Sequence, residues 1–423
     1  MKVCIETLGC KVNTYESEVM KNIFGESGFE IVDIHNHPDV VVINTCTVTN
    51  QSDAKSRKII RGAKRLNPRC ILIVTGCMAQ LHQDEIKDLG IDILIGNKDK
   101  SKILDLLNEY LTSKKTITKF YDLNVADFED MDIHNFIGRT RAFVKIQDGC
   151  NNYCSYCIIP YVRGRIRNKD IDIAVEEIQK LVSNDYKEIV LTGIHTGSYG
   201  TGTDYNLVTL IKRISKIKNL ARIRISSIEV TELNEEFLNE LKINSKICDH
   251  LHIPLQSGSN PVLKKMNRKY DVEYFKNKIK EIRSIRPDIN ITTDIIVGFP
   301  TETDEDFENT IKTATEIGFG KIHVFPYSKR DGTVAATFKN IVPSTIKKER
   351  SKRLIALSNA LEQKYYQKFL GKRLRVLIEE THNDYVVGHT SNYIKVMINK
   401  KLLGNEFYDS LITEIDKEHV QAV

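Results

Sequence analysis

The chain has 423 residues, 41% hydrophobic and 28% charged, with a net charge of +6 at pH 7. This length supports two or three domains, and the composition excludes a disordered or low-complexity chain. No apolar run reaches the ~18 residues that span a bilayer, the opening "MKVCIETLGC" is too polar for a signal peptide, and nine cysteines, an odd number, argue against a disulfide framework; a cytoplasmic protein with reduced thiols is expected.

Strand-like runs at Val3–Thr7, Val40–Asn44, Ile71–Thr75 and Ile91–Ile95 alternate with amphipathic stretches such as "ESEVMKNIFGESG" and "AKSRKIIRGAKRL". That alternation predicts an α/β domain over residues 1–120, a parallel sheet with helices on its faces. "LTSKKTITKFYDLNVADFEDMD" is weakly patterned and reads as a connector. A second series follows, with strands at Ala142–Gln147, Ile189–Thr192, Arg222–Ser226, His250–Leu255, Ile291–Val297 and Lys321–Phe325. Six βα repeats predict a (β/α)6 partial barrel over residues 136–365, since a full eight-stranded barrel takes about 250 residues. Its site belongs at the C-terminal ends of the strands. After the helix "IKKERSKRLIALSNALEQKYYQKFLG" come short β runs, "KRLRVLIEE", "YVVGHT", "YIKVMI" and "SLITEID", which predict a small all-β barrel over 366–423. Lys339 to Arg375 holds eleven Lys/Arg and two Glu, so the rest of the chain is slightly acidic. A basic block beside a β module suggests a polyanion partner; a solvated helix face explains the charge equally well.

Cys10, Cys46 and Cys77 are far apart in sequence, yet each falls just after a predicted strand. In a parallel sheet those ends open onto one edge, so three thiols could converge there. The alternative is three buried core cysteines. The glycines before Cys10 and Cys77 would let backbone approach a bulky ligand. Cys150, Cys154 and Cys157 lie on one loop with the spacing C-x3-C-x2-C. A structural zinc takes four ligands, and no nearby His or Cys supplies the fourth. Three thiolates on a [4Fe-4S] cluster leave one iron open, the mark of a catalytic metal.

This loop, with Tyr156 before its last cysteine, resembles that of the radical S-adenosylmethionine superfamily. Together, "TLGCKVNTYES", "NTCTVTN", "TGCMAQ" and "GCNNYCSYCIIPYVRGRIR" resemble the methylthiotransferases of that superfamily. So do "IPLQSGSNPVLKKMNRKY", "TTDIIVGFPTETDEDF" and "FPYSKRDGTVAA", while "VGHTSNYIKVMI" resembles the RNA-binding TRAM module. "GCKVN" is similar to the tRNA enzymes acting on N6-threonylcarbamoyladenosine; isopentenyladenosine enzymes tend to show "GCQMN" and ribosomal-protein enzymes "GCPKN". Thr14, Asn168 and Val230 stand where Gln, Ser and Pro are common, and none is a cluster ligand.

The resemblance implies insertion of a methylthio group at C2 of the modified adenosine at position 37 of tRNA, with two molecules of S-adenosylmethionine per turnover. One gives methyl to a sulfur on an auxiliary [4Fe-4S] cluster held by Cys10, Cys46 and Cys77. The other is cleaved at a cluster held by Cys150, Cys154 and Cys157, giving a radical that attacks C2. Tyr156, Gly193, Glu229, Gln256, Ser257 and Gly298 follow the strands and are expected around the cofactor. Arg163, Arg165 and Arg167 are expected to meet tRNA phosphate or the cofactor carboxylate, Arg being suited to both. Lys347, Lys348, Arg350, Lys352 and Arg353, with Tyr393 for stacking and Lys395 for phosphate, are expected to grip the anticodon stem-loop. An electron donor and a sulfur source are also implied. Competing readings are a methylthiotransferase for isopentenyladenosine or for a ribosomal-protein aspartate, and an RNA-binding iron–sulfur sensor without turnover.

Overall fold

The computed structural model describes residues 1–136, 138–417 and 419–423. Six parallel strands form the first sheet: β1 (Lys2–Thr7), β2 (Glu30–Ile31), β3 (Val40–Thr45), β4 (Ile71–Gly76), β5 (Ile93–Ile95) and β6 (Ile117–Lys119), in the order β2-β1-β3-β4-β5-β6. All six residues of β3, Val-Val-Val-Ile-Asn-Thr, are buried. It reads as a continuous apolar run because helices cover both faces. The short β2 and β6 have too few residues to show a period.

Helix α1 (Lys11–Glu26) is shared by two cores. Met20 and Phe24 pack under the first sheet, while Tyr15 and Val19 join the core of the second α/β unit. Its polar Asn13, Glu16 and Ser17 are consequently buried as well. Helix α2 (Asn50–Leu66) is capped by Thr49, whose hydroxyl accepts from Ser52 N at 3.1 Å.

The second unit contains β7 (Arg141–Lys145), β8 (Gln147–Asp148), β9 (Arg167–Asn168), β10 (Glu188–Thr192), β11 (Arg222–Ile225), β12 (His250–His252), β13 (Asn290–Val297) and β14 (Lys321–Pro326). The parallel triplets β7-β10-β11 and β12-β13-β14 are joined by a parallel bridge between Ile223 and Ile247. They make the six-stranded partial barrel. The expected first strand breaks at Ile146, because Gln147 and Asp148 pair antiparallel with β9. That ribbon brackets the loop bearing Cys150, Cys154 and Cys157. Among the described residues, the segment between β6 and β7 has no regular element, but it is not loose. Met131, Ile133 and Phe136 are buried, and Tyr15 Oη donates to Met131 O at 2.6 Å.

The helix Ser344–Gln367 lays Leu354 and Leu361 on this core. It leads into a closed barrel, β15 (Arg373–Thr381), β16 (Val386–Thr390), β17 (Lys395–Ile398), β18 (Phe407–Ile415) and β19 (Val420–Ala422), in the order β15-β16-β17-β19-β18. The last strand was not expected from the sequence. Two arginines fasten the barrel. Arg222 donates to His389 O at 2.9 Å and Arg375 O at 2.6 Å. Arg224 donates to Thr390 O and Ser391 O, and Glu188 accepts from Arg224 Nε at 2.6 Å. Among the described residues, no helix is long and apolar enough to cross a membrane.

Candidate active site

Cys10, Cys46 and Cys77 follow β1, β3 and β4, three adjacent parallel strands, so they share one edge of the sheet. The preceding glycines serve the protein itself rather than a ligand. A Cβ on Gly9 (φ +100°) would lie 2.9 Å from Cys46 Cβ, and one on Gly76 (φ +98°) 2.4 Å from Thr45 O. Burial pushes the Cys46 thiol up to about 11, with Cys77 and Cys10 adding to the effect. Cys10 is raised too, by burial, against the pull of Arg163. Cys77 Sγ accepts from Arg163 Nε at 3.3 Å and Asn97 Nδ2 at 3.5 Å.

Arg163 belongs to a buried ion network. Its Nη1 lies 2.9 Å from Glu16 and 3.1 Å from Asp148, and its Nη2 donates to Asn13 Oδ1 at 2.7 Å. Lys100 reaches Glu16 at 3.0 Å, and Lys145 reaches Glu16 at 3.0 Å and Asp148 at 2.7 Å. Burial opposes ionisation of Glu16, but Arg163, Lys100 and Lys145 hold it well below the carboxylate range. Arg167 also lies 3.7 Å from Asp148, so Lys100, Lys145, Arg163 and Arg167 face two carboxylates, Glu16 and Asp148, and the network beside Cys77 is net positive.

The loop of Cys150, Cys154 and Cys157 is pinned by its backbone. Gly149 (φ +73°) packs so tightly that a Cβ would lie 1.9 Å from Arg165 O. Ser155 donates through its N to Met266 O at 3.0 Å and through its hydroxyl to Lys265 O at 2.7 Å. Cys154 Sγ accepts from Arg268 Nη1 at 3.3 Å, and Arg268 also pairs with Glu229. Burial and Cys154 push the Cys157 thiol up to about 12. For His195 burial disfavours the imidazolium, but hydrogen bonds to Cys150 and Glu232 outweigh it and raise the pKa to about 10.

One cysteine of each triad, Cys10 and Cys157, borders one of two adjoining cavities. One of about 820 Å³ is walled by Cys10 and Lys11, by Ile159 and Gly193, by the inner face of β12–β14, and by Tyr393 and Lys395 of the barrel. A smaller one, about 190 Å³, is walled by Tyr156, Cys157, Gln256 and Ile296. Val48, Ile159, Asp294 and Phe325 line both. On the inner face, His252, Asp294 and His323 bring ligand atoms within 4.8 Å of one another. His252 Nε2 lies 3.2 Å from Asp294 Oδ1, and its Nδ1 lies 2.9 Å from Thr292 Oγ1.

The profile of the Radical SAM superfamily matches residues 144–314, and that of the Uncharacterized protein family UPF0004 matches residues 2–96. The Threonylcarbamoyladenosine tRNA methylthiotransferase MtaB of Bacillus subtilis is 44% identical, over 93% of this chain and 90% of its own. Its namesake in Aquifex aeolicus is 39% identical, over 94% and 96%. The chain belongs to the radical S-adenosylmethionine methylthiotransferases. A tRNA-2-methylthio-N(6)-dimethylallyladenosine synthase of Acetivibrio thermocellus is 36% identical, over 92% of this chain and 83% of its own. In fold, the methylthiotransferase is similar to the radical S-adenosylmethionine methyltransferase TsrM of Kitasatospora setae, with a TM-score of 0.55 and 14% identity over 77% of this chain and 74% of that one. It is also similar to the cobalamin-dependent radical enzyme OxsB, with a TM-score of 0.51 and 10% identity over 83% and 56%.

Methylthiotransferases of this family use S-adenosylmethionine and [4Fe-4S] clusters, and the cysteine sites of this one fit such clusters. All nine cysteines are free thiols. Desolvation raises the pKa values of Cys10, Cys46, Cys154 and Cys157; thiols so placed are unfavourable as isolated thiolates, and a metal centre removes that penalty. Three thiolates on a dicationic four-iron core carry one net negative charge. The net positive ion network beside Cys77 suits it.

Other expected site residues fall differently. Arg163 is fully buried, and Arg167 donates to Leu123 O at 2.7 Å and Arg163 O at 2.8 Å. Both build the interior instead of meeting RNA, while Arg165 is exposed. Arg350 is buried between Glu302 at 2.6 Å and Asp304 at 2.7 Å, so it too is structural. The stem of Lys347 crosses Gly298, where a Cβ would meet its Cγ at 2.1 Å; that glycine makes room for a lysine, not for adenine. Lys347 Nζ then donates to Tyr327 O at 3.3 Å. Lys348, Lys352 and Arg353 stay exposed, with Arg353 paired to Glu308 at 2.8 Å. Ser257 is buried with its hydroxyl 3.4 Å from Thr310 Oγ1, away from both cavities. Tyr393 is not in a strand. It sits in a left-handed turn (φ 63°), stacked on His250 and His389 with centroids 4.9 and 4.8 Å away, so the protein already occupies its ring.

Lys11 had no assigned role in the sequence. It is the first residue of α1 and borders the large cavity. Desolvation, opposed by Tyr393 and reinforced by Arg141 and Arg224, lowers its pKa. The signal for it lay in "GCKVN", directly after a candidate ligand.

Proposed function

We propose that the protein inserts a methylthio group at C2 of N6-threonylcarbamoyladenosine at position 37 of tRNA, gripping the anticodon stem-loop. Cys150, Cys154 and Cys157 would hold one cluster and Cys10, Cys46 and Cys77 the other, the first supplying the radical from S-adenosylmethionine and the second the sulfur. The observation that carries this is that one cysteine of each triad, Cys10 and Cys157, borders one of two adjoining cavities, in a chain 44% identical to a threonylcarbamoyladenosine enzyme.

Each part of the chain has work in this scheme. Arg163 and Asn97 donate to Cys77 Sγ and orient it. Arg268 does the same for Cys154 and is itself fixed by Glu229. Gln256, held at φ 65°, walls the smaller cavity beside Tyr156 and Cys157, a place suited to the cofactor. The larger cavity has room for a modified nucleoside. Exposed Arg165, Lys348, Lys352 and Lys395 offer charge to the RNA backbone. The limits 1–120, 136–365 and 366–423 divide the auxiliary-cluster, radical and TRAM parts, and a cytoplasmic location follows from a tRNA substrate. Reductive cleavage needs one electron from an external donor, and each product needs one sulfur atom from an external source.

The test is nucleoside mass analysis of tRNA from a strain lacking the gene. Loss of the methylthio form of threonylcarbamoyladenosine supports the reading. Loss of the isopentenyl form instead refutes it.

A further inference from the structure

Lys11 breaks a local rule. It opens α1, where the helix dipole disfavours cations, and the first turn has no acidic residue to offset it. Its ammonium has no hydrogen-bond or ion-pair partner among the described residues. Helix stability therefore gives no reason for a lysine at this place, and a residue that breaks such a rule without local compensation points to function.

The cavity it borders is prepared for an anion. Of the charged groups in the wall, Lys321 is paired with Glu362 at 2.5 Å, while Asp294 lies 3.2 Å from His252, a partner that carries charge only when protonated. Among the described residues, the lysines of this wall without an ion-pair partner are Lys11 and Lys395. The wall carries three lysines, Lys11, Lys321 and Lys395, against two carboxylates, Asp294 and Glu362, a balance that favours an anion.

The purine's own geometry says which wall it meets. C2 and C6 flank N1, so the N6 substituent projects along the edge that also carries C2. A side chain next to the group that modifies C2 is therefore next to the substituent. Lys11 directly follows Cys10.

We propose that Lys11 binds the amino-acid carboxylate of the threonylcarbamoyl substituent and so sets which modified adenosine is accepted, an inference that rests on the substrate reading above. The same ammonium rejects an isopentenyl group, because an apolar substituent would bury it unpaired.

The test uses reconstituted enzyme and three anticodon stem-loops. These carry at position 37 the threonylcarbamoyl group, its neutral carboxamide, or the isopentenyl group. The wild type should favour carboxylate over carboxamide about 10- to 100-fold in kcat/KM, mainly through KM, as expected for a charge-assisted hydrogen bond. Lys11→Gln should reduce that preference to less than about threefold, and Lys11→Arg should retain it. Iron content equal to the wild type's shows that the Lys11→Gln cysteine sites are intact. A wild type indifferent to the carboxamide overturns the inference without recourse to any variant. A Lys11→Gln enzyme with the full preference overturns it equally. A wild type that modifies only the isopentenyl loop overturns the substrate reading itself, a result distinct from both.

Discussion

Arg163→Met probes the contact between the two α/β units. Its guanidinium serves Glu16, Asp148, Asn13 and Cys77 at once. Removing one partner of a buried ion pair costs about 3–5 kcal/mol when the other charge is stranded. Here the acids are not stranded. Glu16 keeps Lys100 and Lys145, each at 3.0 Å, and Asp148 keeps Lys145 at 2.7 Å. The loss should therefore fall at the low end, about 3 kcal/mol, measured by urea unfolding of the cluster-free, reduced protein. The loaded protein should suffer a second loss. One positive charge and the donor to Cys77 both disappear, and removal of such support typically weakens metal binding 10- to 100-fold. Iron should be lost first from the Cys10/Cys46/Cys77 site on dilution or mild chelation. Arg163→Lys keeps the charge but not the planar fork, and should lie between. An Arg163→Met protein within about 1 kcal/mol of wild type that also holds its iron normally would refute the reasoning.

Further outcomes concern acid stability, strain and RNA. Burial opposes ionisation of Glu188, but Arg224, Arg141 and Arg222 pull its pKa down to about 2. Its contribution is therefore complete above the ordinary carboxylate range and lost as pH falls from about 4.5 toward 2, on the order of 3 kcal/mol. Glu188→Gln should lack that acid limb in denaturation curves; an unchanged limb would exclude Glu188 as its source. Gly76→Ala forces a side chain onto Thr45 O at a positive φ, costing roughly 1–3 kcal/mol and displacing Cys77; full stability with normal iron content would show the backbone can give way. Lys348→Ala with Lys352→Ala should lower the slope of log affinity for tRNA against log salt by about two, and an unchanged slope would place the RNA elsewhere.

The regular parts of this molecule were legible because their signals are local. Strand periods located the first sheet, the six barrel strands and the cysteines at their ends. The loop spacing pointed to a three-thiolate metal site without help from the fold. What sequence reasoning missed depends on distant partners. Nothing near Arg163 or Arg350 announces that Glu16, Asp148 or Glu302 will enclose it, so basic residues beside a cluster loop and on a cationic helix read as surface. Gly298 carried the right signal, a close approach, but only the fold shows that Lys347 makes it. Tyr393 looked like a strand residue because its neighbours are β formers, and its left-handed turn has no glycine to mark it. Val420–Ala422 is too short to show a period. The connector's apolar residues, Met131, Ile133 and Phe136, were visible, and so was the helix α1, but not that the two would pack together.

Iron content after anaerobic reconstitution, read on the wild type and two triple-alanine variants, tests the central claim most directly. Two [4Fe-4S] sites require about eight irons per chain in the wild type and about four in each variant. The variant lacking Cys150, Cys154 and Cys157 should make no deoxyadenosine. The one lacking Cys10, Cys46 and Cys77 should still make it while transferring no methylthio group. About four irons in the wild type, a zinc ion at either site, or deoxyadenosine from the first variant would contradict the account.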